Sequence, residues 1–226
     1  MPLRGVAFDA FGTLFDLEGL KPALRAELGA SGDDVFAGFV ARLVPWSWHA
    51  TAAGRYRPFP EMAALAIRSA ALEQDVALSS ERAEGLASGL ASLPAFSDAA
   101  ESLAALVDAG LRLTVLSNGT ADGLGRLVEG AGLAEHFERL LAADSVGRFK
   151  PAPEVYAMVP ATLSLAPEEV VLVSGNDWDV AGAQQCGLHG VWLSRGRPVT
   201  EALGVEPAMV ATELADLPDV LASRKR

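Results

Sequence analysis

A chain of 226 residues, 50% of them hydrophobic, can bury a full core as one domain with an insertion or as two modest domains. With 29 acidic against 18 basic residues the net charge is −11, which repels phosphate backbones and anionic membranes and argues against nucleic acid or lipid as partners. A single cysteine, Cys186, excludes an internal disulfide framework; no signal-peptide pattern and no bilayer-length apolar run is present, so the expectation is a soluble, cytoplasmic protein.

The first predicted element is a strand, "LRGVAFD" (3–9), which runs into Asp9 and the glycine-containing turn Ala10-Phe11-Gly12-Thr13. From about residue 17 to 95 the pattern is helical. "DDVFAGFVARLV" (33–44), "PEMAALAIRSAAL" (60–72) and "SERAEGLASGL" (80–90) carry apolar residues at three- and four-residue spacing. "LPAFSD" (93–98) marks the return. "SDAAESLAALVDAG" (97–110) reads as a helix with Ser97 as N-cap and Gly110 as stop. Strands then alternate with helices: strands at 111–119, 138–146, 169–177 and 190–196, helices at 120–132, 153–165 and 178–188. The terminal "SRKR" (223–226) reads as a frayed end. The strands are continuous apolar runs, the pattern of strands buried on both faces of a parallel sheet. The expected fold class is α/β: a doubly wound parallel sheet, Rossmann-like, built from residues 1–16 and 96–226, with a helical cap subdomain inserted at 17–95.

In open parallel sheets ligands bind beyond the carboxyl ends of the strands. Here those ends carry Asp9, then Ser117, Asn118 and Gly119, then Lys150 after the third strand, then Ser174, Asn176, Asp177 and Asp179. Lys150 is one of only three lysines, with Lys21 and Lys225, in a chain that otherwise uses arginine. Parallel strands put these groups on one rim, so the pattern predicts carboxylates, one lysine and amide and hydroxyl donors beneath a helical lid.

"DAFGTLFD", "LSNG", "KPAPEVY" and "SGNDWD" resemble the four motifs of the haloacid dehalogenase superfamily. The "SxNxWD…GA…G" pattern of 174–187 resembles its type II, L-2-haloacid dehalogenase branch, and the resemblance runs from residue 5 to about 220. Most of the superfamily are magnesium-dependent phosphatases, with a second aspartate where this chain has Phe11 and a Gly-Asp pair where it has Gly175-Asn176. Displacing a phosphate ester needs a general acid and a cation; halide departs without a proton and needs neither. The resemblance therefore implies a hydrolase of 2-haloalkanoic acids that uses no cofactor and no metal, yielding 2-hydroxy acids with inversion.

The same resemblance implies residue roles. Asp9 would be the nucleophile, forming an ester with the substrate carbon. Lys150 would offset the clustered carboxylates and keep Asp9 ionised. Asp179 would bind or activate the hydrolytic water, with Ser174 and Asn176 positioning Lys150 and that water. Thr13, Ser117 and Asn118 would donate hydrogen bonds to Asp9, the substrate carboxylate and the halide, aided by the amides of Ala10 and Phe11. Tyr156 and Trp178 would be aromatics at the site edge, with core packing as the competing role. Helix N-capping is a compatible role for "NDWD", and Asp177 departs from the small residue usual in the branch.

Relatives carry a cap arginine that reaches the halogen. Aligning "RYRPF" (55–59) with the family's "RYxxF" puts Val40 at that place. Arg42 lies two residues on, about 200° around a helix, and a small alignment gap within "VPWSWHAT" (44–51), which Pro45 would accommodate, would restore its register. Arg42 is therefore the candidate, with His49, Trp46 and Trp48 as alternative lining for a halide pocket. A homodimer through the apolar cap helices is also in keeping with the resemblance. Two rival functions stand beside the dehalogenase: a small-molecule phosphatase of the same superfamily, and a non-catalytic binding or dimerisation module on the same fold.

Overall fold

A computed structural model describes residues 2–198, 202 and 204–223; of the expected frayed tail, residues 224–226 lie outside the described residues. Among the described residues six strands, β1 (Gly5–Phe8), β2 (Arg112–Ser117), β3 (Arg139–Ala142), β4 (Val170–Ser174), β5 (His189–Leu193) and β6 (Met209–Ala211), form one sheet in the order β3-β2-β1-β4-β5-β6. Every pairing is parallel. All residues of β1 and β4 are buried, as continuous apolar runs between two helical layers require.

Between β1 and β2 come α1 (Lys21–Leu28), α2 (Gly32–Ala52), α3 (Phe59–Glu73) and α4 (Ser80–Ser88), with no strand among them. The remaining helices are α5 (Ala99–Asp108), α6 (Ala121–Gly130), α7 (Pro153–Tyr156), α8 (Met158–Leu163), α9 (Asp177–Gln185) and α10 (Leu217–Ala222). The two chain crossings between cap and sheet lie side by side: Asp16 N–H donates to the Pro94 carbonyl at 2.9 Å and Phe96 N–H to the Leu14 carbonyl at 2.9 Å. Buried side chains of the cap, such as Phe39 and Ile67, form one apolar cluster with Val115 and Val173 of the sheet. Among the described residues no helix is long and apolar enough to cross a membrane.

Four local expectations need correction. The strand β6 has no counterpart in the sequence reading, because three residues at a sheet edge are too few to show a period. The helix expected over 153–165 is two short helices meeting at Ala157. Asp98, not Ser97, occupies the N-cap of α5, and its carboxylate accepts from Leu214 N–H and Arg195 rather than from its own helix. Most consequential, the helix expected over 33–44 runs on through Pro45 to Ala52. A proline removes one helical donor, but Phe36, Phe39, Leu43 and Ala50 bury the same face on both sides of it and carry the helix through. The Ser47 hydroxyl bonds to the Val44 carbonyl at 2.7 Å across the same turn.

Candidate active site

The sheet register sets the site. Phe8, the last residue of β1, is level with Val115 and Val173. Asp9 follows, held by its N–H to the Val173 carbonyl at 3.0 Å. Its side chain therefore emerges at the carboxyl rim, between the ends of β2 and β4, and is only 6% exposed.

Lys150 comes to this carboxylate from 141 residues away. Its ammonium donates to Asp9 Oδ1 at 3.0 Å and to Asp179 Oδ2 at 2.9 Å. All three groups are buried. Two carboxylates so close are tolerable only because a cation sits between them. Asp179 is steadied from its other side by the Tyr156 hydroxyl, which donates to Oδ1 at 2.8 Å. Tyr156, for which the site edge and core packing are the two readings, is fully buried and props up Asp179. The reason is topological: α7 packs under α9, so the ring enters from below the rim.

The second oxygen of Asp9 faces two neutral donors. Thr13 Oγ1 donates to Oδ2 at 3.0 Å and Asn176 Nδ2 at 3.1 Å. Thr13 Oγ1 in turn accepts from Gly175 N–H at 2.8 Å, which locks the β1 turn to the end of β4. A Cβ at Gly175 would lie 2.3 Å from the Gly12 carbonyl oxygen, so only glycine lets the two turns approach. Asn176 is the N-cap residue of α9, yet its side chain makes no capping bond and points at Asp9. Asp177 accepts from Trp178 N–H at 2.8 Å. Ser174 accepts from Asn176 N–H at 3.1 Å, and Ser117 from Gly119 N–H at 3.0 Å. Asn118 Oδ1 accepts from Lys150 N–H at 2.8 Å, tying the β2 turn to the lysine's backbone.

The cap closes over this rim with aromatic side chains. Phe11 stacks on Phe59 at 5.3 Å between ring centroids, and Phe149 meets Tyr56 at 4.9 Å and Phe59 at 6.2 Å. Trp178 meets Trp48 of α2 edge-on at 5.4 Å. Thr51 Oγ1, in the last turn of α2, accepts from Phe149 N–H at 3.0 Å. The cap arginine is not gathered in. Arg42 bonds to Glu73 of α3 and to the Gly38 carbonyl, so it clamps two cap helices together. Val40, at the family's arginine position, is 39% exposed. Trp46 and His49 line a separate depression with Arg55 and Leu65.

Several contributors escaped the sequence reading. Gly175 stands inside a motif already singled out, and Phe149 directly precedes another, "KPAPEVY". Arg195 and Arg197 give no local signal. Arg195 bonds Asp98 at 3.0 Å and the Thr13 carbonyl at 3.3 Å, and Arg197 bonds the Gly175 carbonyl, so both brace the turns from behind.

The magnesium site implied by the wider superfamily does not fit these residues. The Lys150 ammonium already occupies the space between Asp9 and Asp179, and position 11 offers a phenyl ring instead of a carboxylate. Among the described residues no group of three or more His, Cys, Asp or Glu side chains could hold a metal ion.

Comparison with known proteins finds relatives along almost the whole chain. A family model described as haloacid dehalogenase-like hydrolase matches residues 3–187. The chain is 30% identical over 212 residues to the (S)-2-haloacid dehalogenase of Pseudomonas sp. (strain YL), covering 94% of this chain and 91% of that one. It is 34% identical over 197 residues to the (S)-2-haloacid dehalogenase of Xanthobacter autotrophicus, covering 85% and 76%. The solved structure of the L-2-haloacid dehalogenase from Xanthobacter autotrophicus with chloropropionic acid covalently bound aligns with a TM-score of 0.91 at 28% identity, over 97% of this chain and 98% of that one.

Proposed function

The chain belongs to the haloacid dehalogenase-like hydrolases, in their L-2-haloacid dehalogenase branch, and from that premise we propose that it hydrolyses short 2-haloalkanoic acids to 2-hydroxy acids without a metal. The carrying observation is the Lys150 ammonium bonded at once to Asp9 and Asp179, with Phe11 where a phosphatase keeps its acid. Asp9 attacks C2 from behind the carbon–halogen bond; the bond electrons leave with the halide, and C2 inverts. The product of this step is an ester of Asp9. Water, oriented at Asp179, then adds to the ester carbonyl and releases the 2-hydroxy acid, leaving one water oxygen in the Asp9 carboxylate. Lys150 balances the charge throughout, and Thr13 and Asn176 fix the carboxylate's direction. Asn118 and Ser117, with the amides of Ala10 and Phe11, take the substrate carboxylate.

Halide release from L-2-chloropropionate, bromoacetate and fluoroacetate in the presence of EDTA tests the reading. Release by the wild type and none by Asp9→Asn is the expected result. No release from a broad haloacid panel, or release abolished by EDTA, would overturn it.

A further inference from the structure

A second space adjoins the rim on the cap side. A cavity of about 250 Å³ lies between α3, α4 and α6. Its inner wall is apolar, made by Phe11, Phe59, Ala87, Leu90 and Leu124. Glu61, Glu84 and Arg126, all exposed, mark its solvent end.

Phe11 belongs to both spaces. Its carbonyl lies 3.5 Å from the Asn176 amide nitrogen that also holds Asp9. Its ring lines the cavity, stacked on Phe59, with one edge 3.7 Å from where a side chain at Gly119 would begin. Gly119 directly follows Ser117 and Asn118, so the turns that flank the reacting carboxylate also wall the cavity.

We propose that this cavity is the subsite for the C2 substituent of the substrate, and that the chain favours 2-haloacids bearing an apolar chain of about four to six carbons or a phenyl ring. The proposal rests on the reading of Asp9 as the displacing carboxylate. Three observations carry it. The space is large enough, because an apolar cavity of about 150 Å³ already accepts benzene. It is mainly apolar, and Phe11 and Gly119, from the turns that flank Asp9, form part of its wall. Its lining sets the orientation: the donors that take the substrate carboxylate in the reading above, Ser117, Asn118 and the amides of Ala10 and Phe11, stand at the strand ends, while the cavity wall is mainly apolar, so the tail is the part that fills it. Each methylene fully removed from water there raises affinity up to about fourfold.

The test compares kcat/KM for halide release on 2-bromopropionate and 2-bromohexanoate, and calorimetric binding of propionate and hexanoate, which needs no turnover. In the wild type both ratios should favour the six-carbon acid by at least about tenfold. Ala87→Phe, which fills the cavity, should collapse both ratios toward one. Leu124→Ala, which enlarges it and does not rely on accommodating a larger side chain, should move the optimum to 2-bromodecanoate, whose eight-carbon chain exceeds the wild-type range. Turnover of 2-bromopropionate with no gain from chain length would overturn the subsite and leave the dehalogenase reading standing. No halide release from any haloacid, with hexanoate still preferred and Ala87→Phe abolishing that preference, would overturn the dehalogenase reading and keep the apolar subsite. Equal binding of propionate and hexanoate in all three proteins would remove the subsite outright.

Discussion

Asp9 sits under opposing fields. Burial, the strongest influence, raises its pKa; the Lys150 ammonium pulls it down, and the neighbouring charge of Asp179 pushes it up again, leaving it above the ordinary aspartate value. For Lys150 burial pushes downward, but Asp179 and Asp9 outweigh it and the group ends above the ordinary lysine value. Tyr156 is driven above the ordinary tyrosine range by burial and then by the charge of Asp179, so it remains a donor. The signs give a pH profile. A nucleophile with a raised pKa loses its charge early on acidification, so halide release should decline at a pH above the free-aspartate value of 3.8. Lys150 contributes its stabilisation fully below the ordinary lysine value of 10.5, and loses it only as pH rises through its higher folded value. Lys150→Met strips the cation from two buried carboxylates. It should abolish turnover and cost about 3–5 kcal/mol in urea denaturation at neutral pH, with the loss shrinking as the carboxylates protonate in acid. An unchanged urea midpoint would mean that the ion triad is not buried as described.

At the scale of elements, the turns matter more than the helices they join. The β1 turn and the end of β4 meet backbone to backbone at Gly12 and Gly175, with Thr13 bonded across. Gly175→Ala forces a Cβ onto a carbonyl oxygen that cannot rotate away, and should cost about 1–3 kcal/mol of stability together with much of kcat. Arg42 is the contrasting case. It pairs with Glu73, whose side chain is 58% exposed, and the pair spans two cap helices far along α2 from Thr51. Such pairs contribute about 1 kcal/mol or less. Arg42→Ala should therefore leave kcat/KM for halide release within about twofold of wild type, whereas a hundredfold loss would place the guanidinium in the site after all. This element was mis-set from sequence for a physical reason. The apolar spacing read as a helix stops at Val44, one residue before a proline, but burial of one helix face on both sides of Pro45 outweighs one missing hydrogen bond.

For the whole molecule, long-range charge and short-range donors oppose each other. The chain carries −11 and repels an anionic haloacid at long range, while the hydrogen-bond donors proposed for its carboxylate hold it at short range. Sodium sulfate, which screens the first far more than the second, should raise kcat/KM measured by halide release; a fall would show that the local field governs approach. Much of this architecture was open to reading in one dimension. Continuous apolar runs in alternation with helices determine a parallel α/β sheet, because only strands covered on both faces can be apolar throughout. The rim chemistry follows, because parallel strands point their carboxyl ends the same way, which is how Asp9, Ser117, Lys150, Ser174 and Asp179 were found together. Contacts across long chain separations were decided by the tertiary structure alone. The bond from Tyr156 to Asp179, the braces from Arg195 and Arg197, the outward direction of Val40 and the apolar cavity beside Phe11 all depend on how helices settle on the sheet. Spacing along the chain reports which face a residue occupies within its own element; which other element that face meets is fixed only by packing.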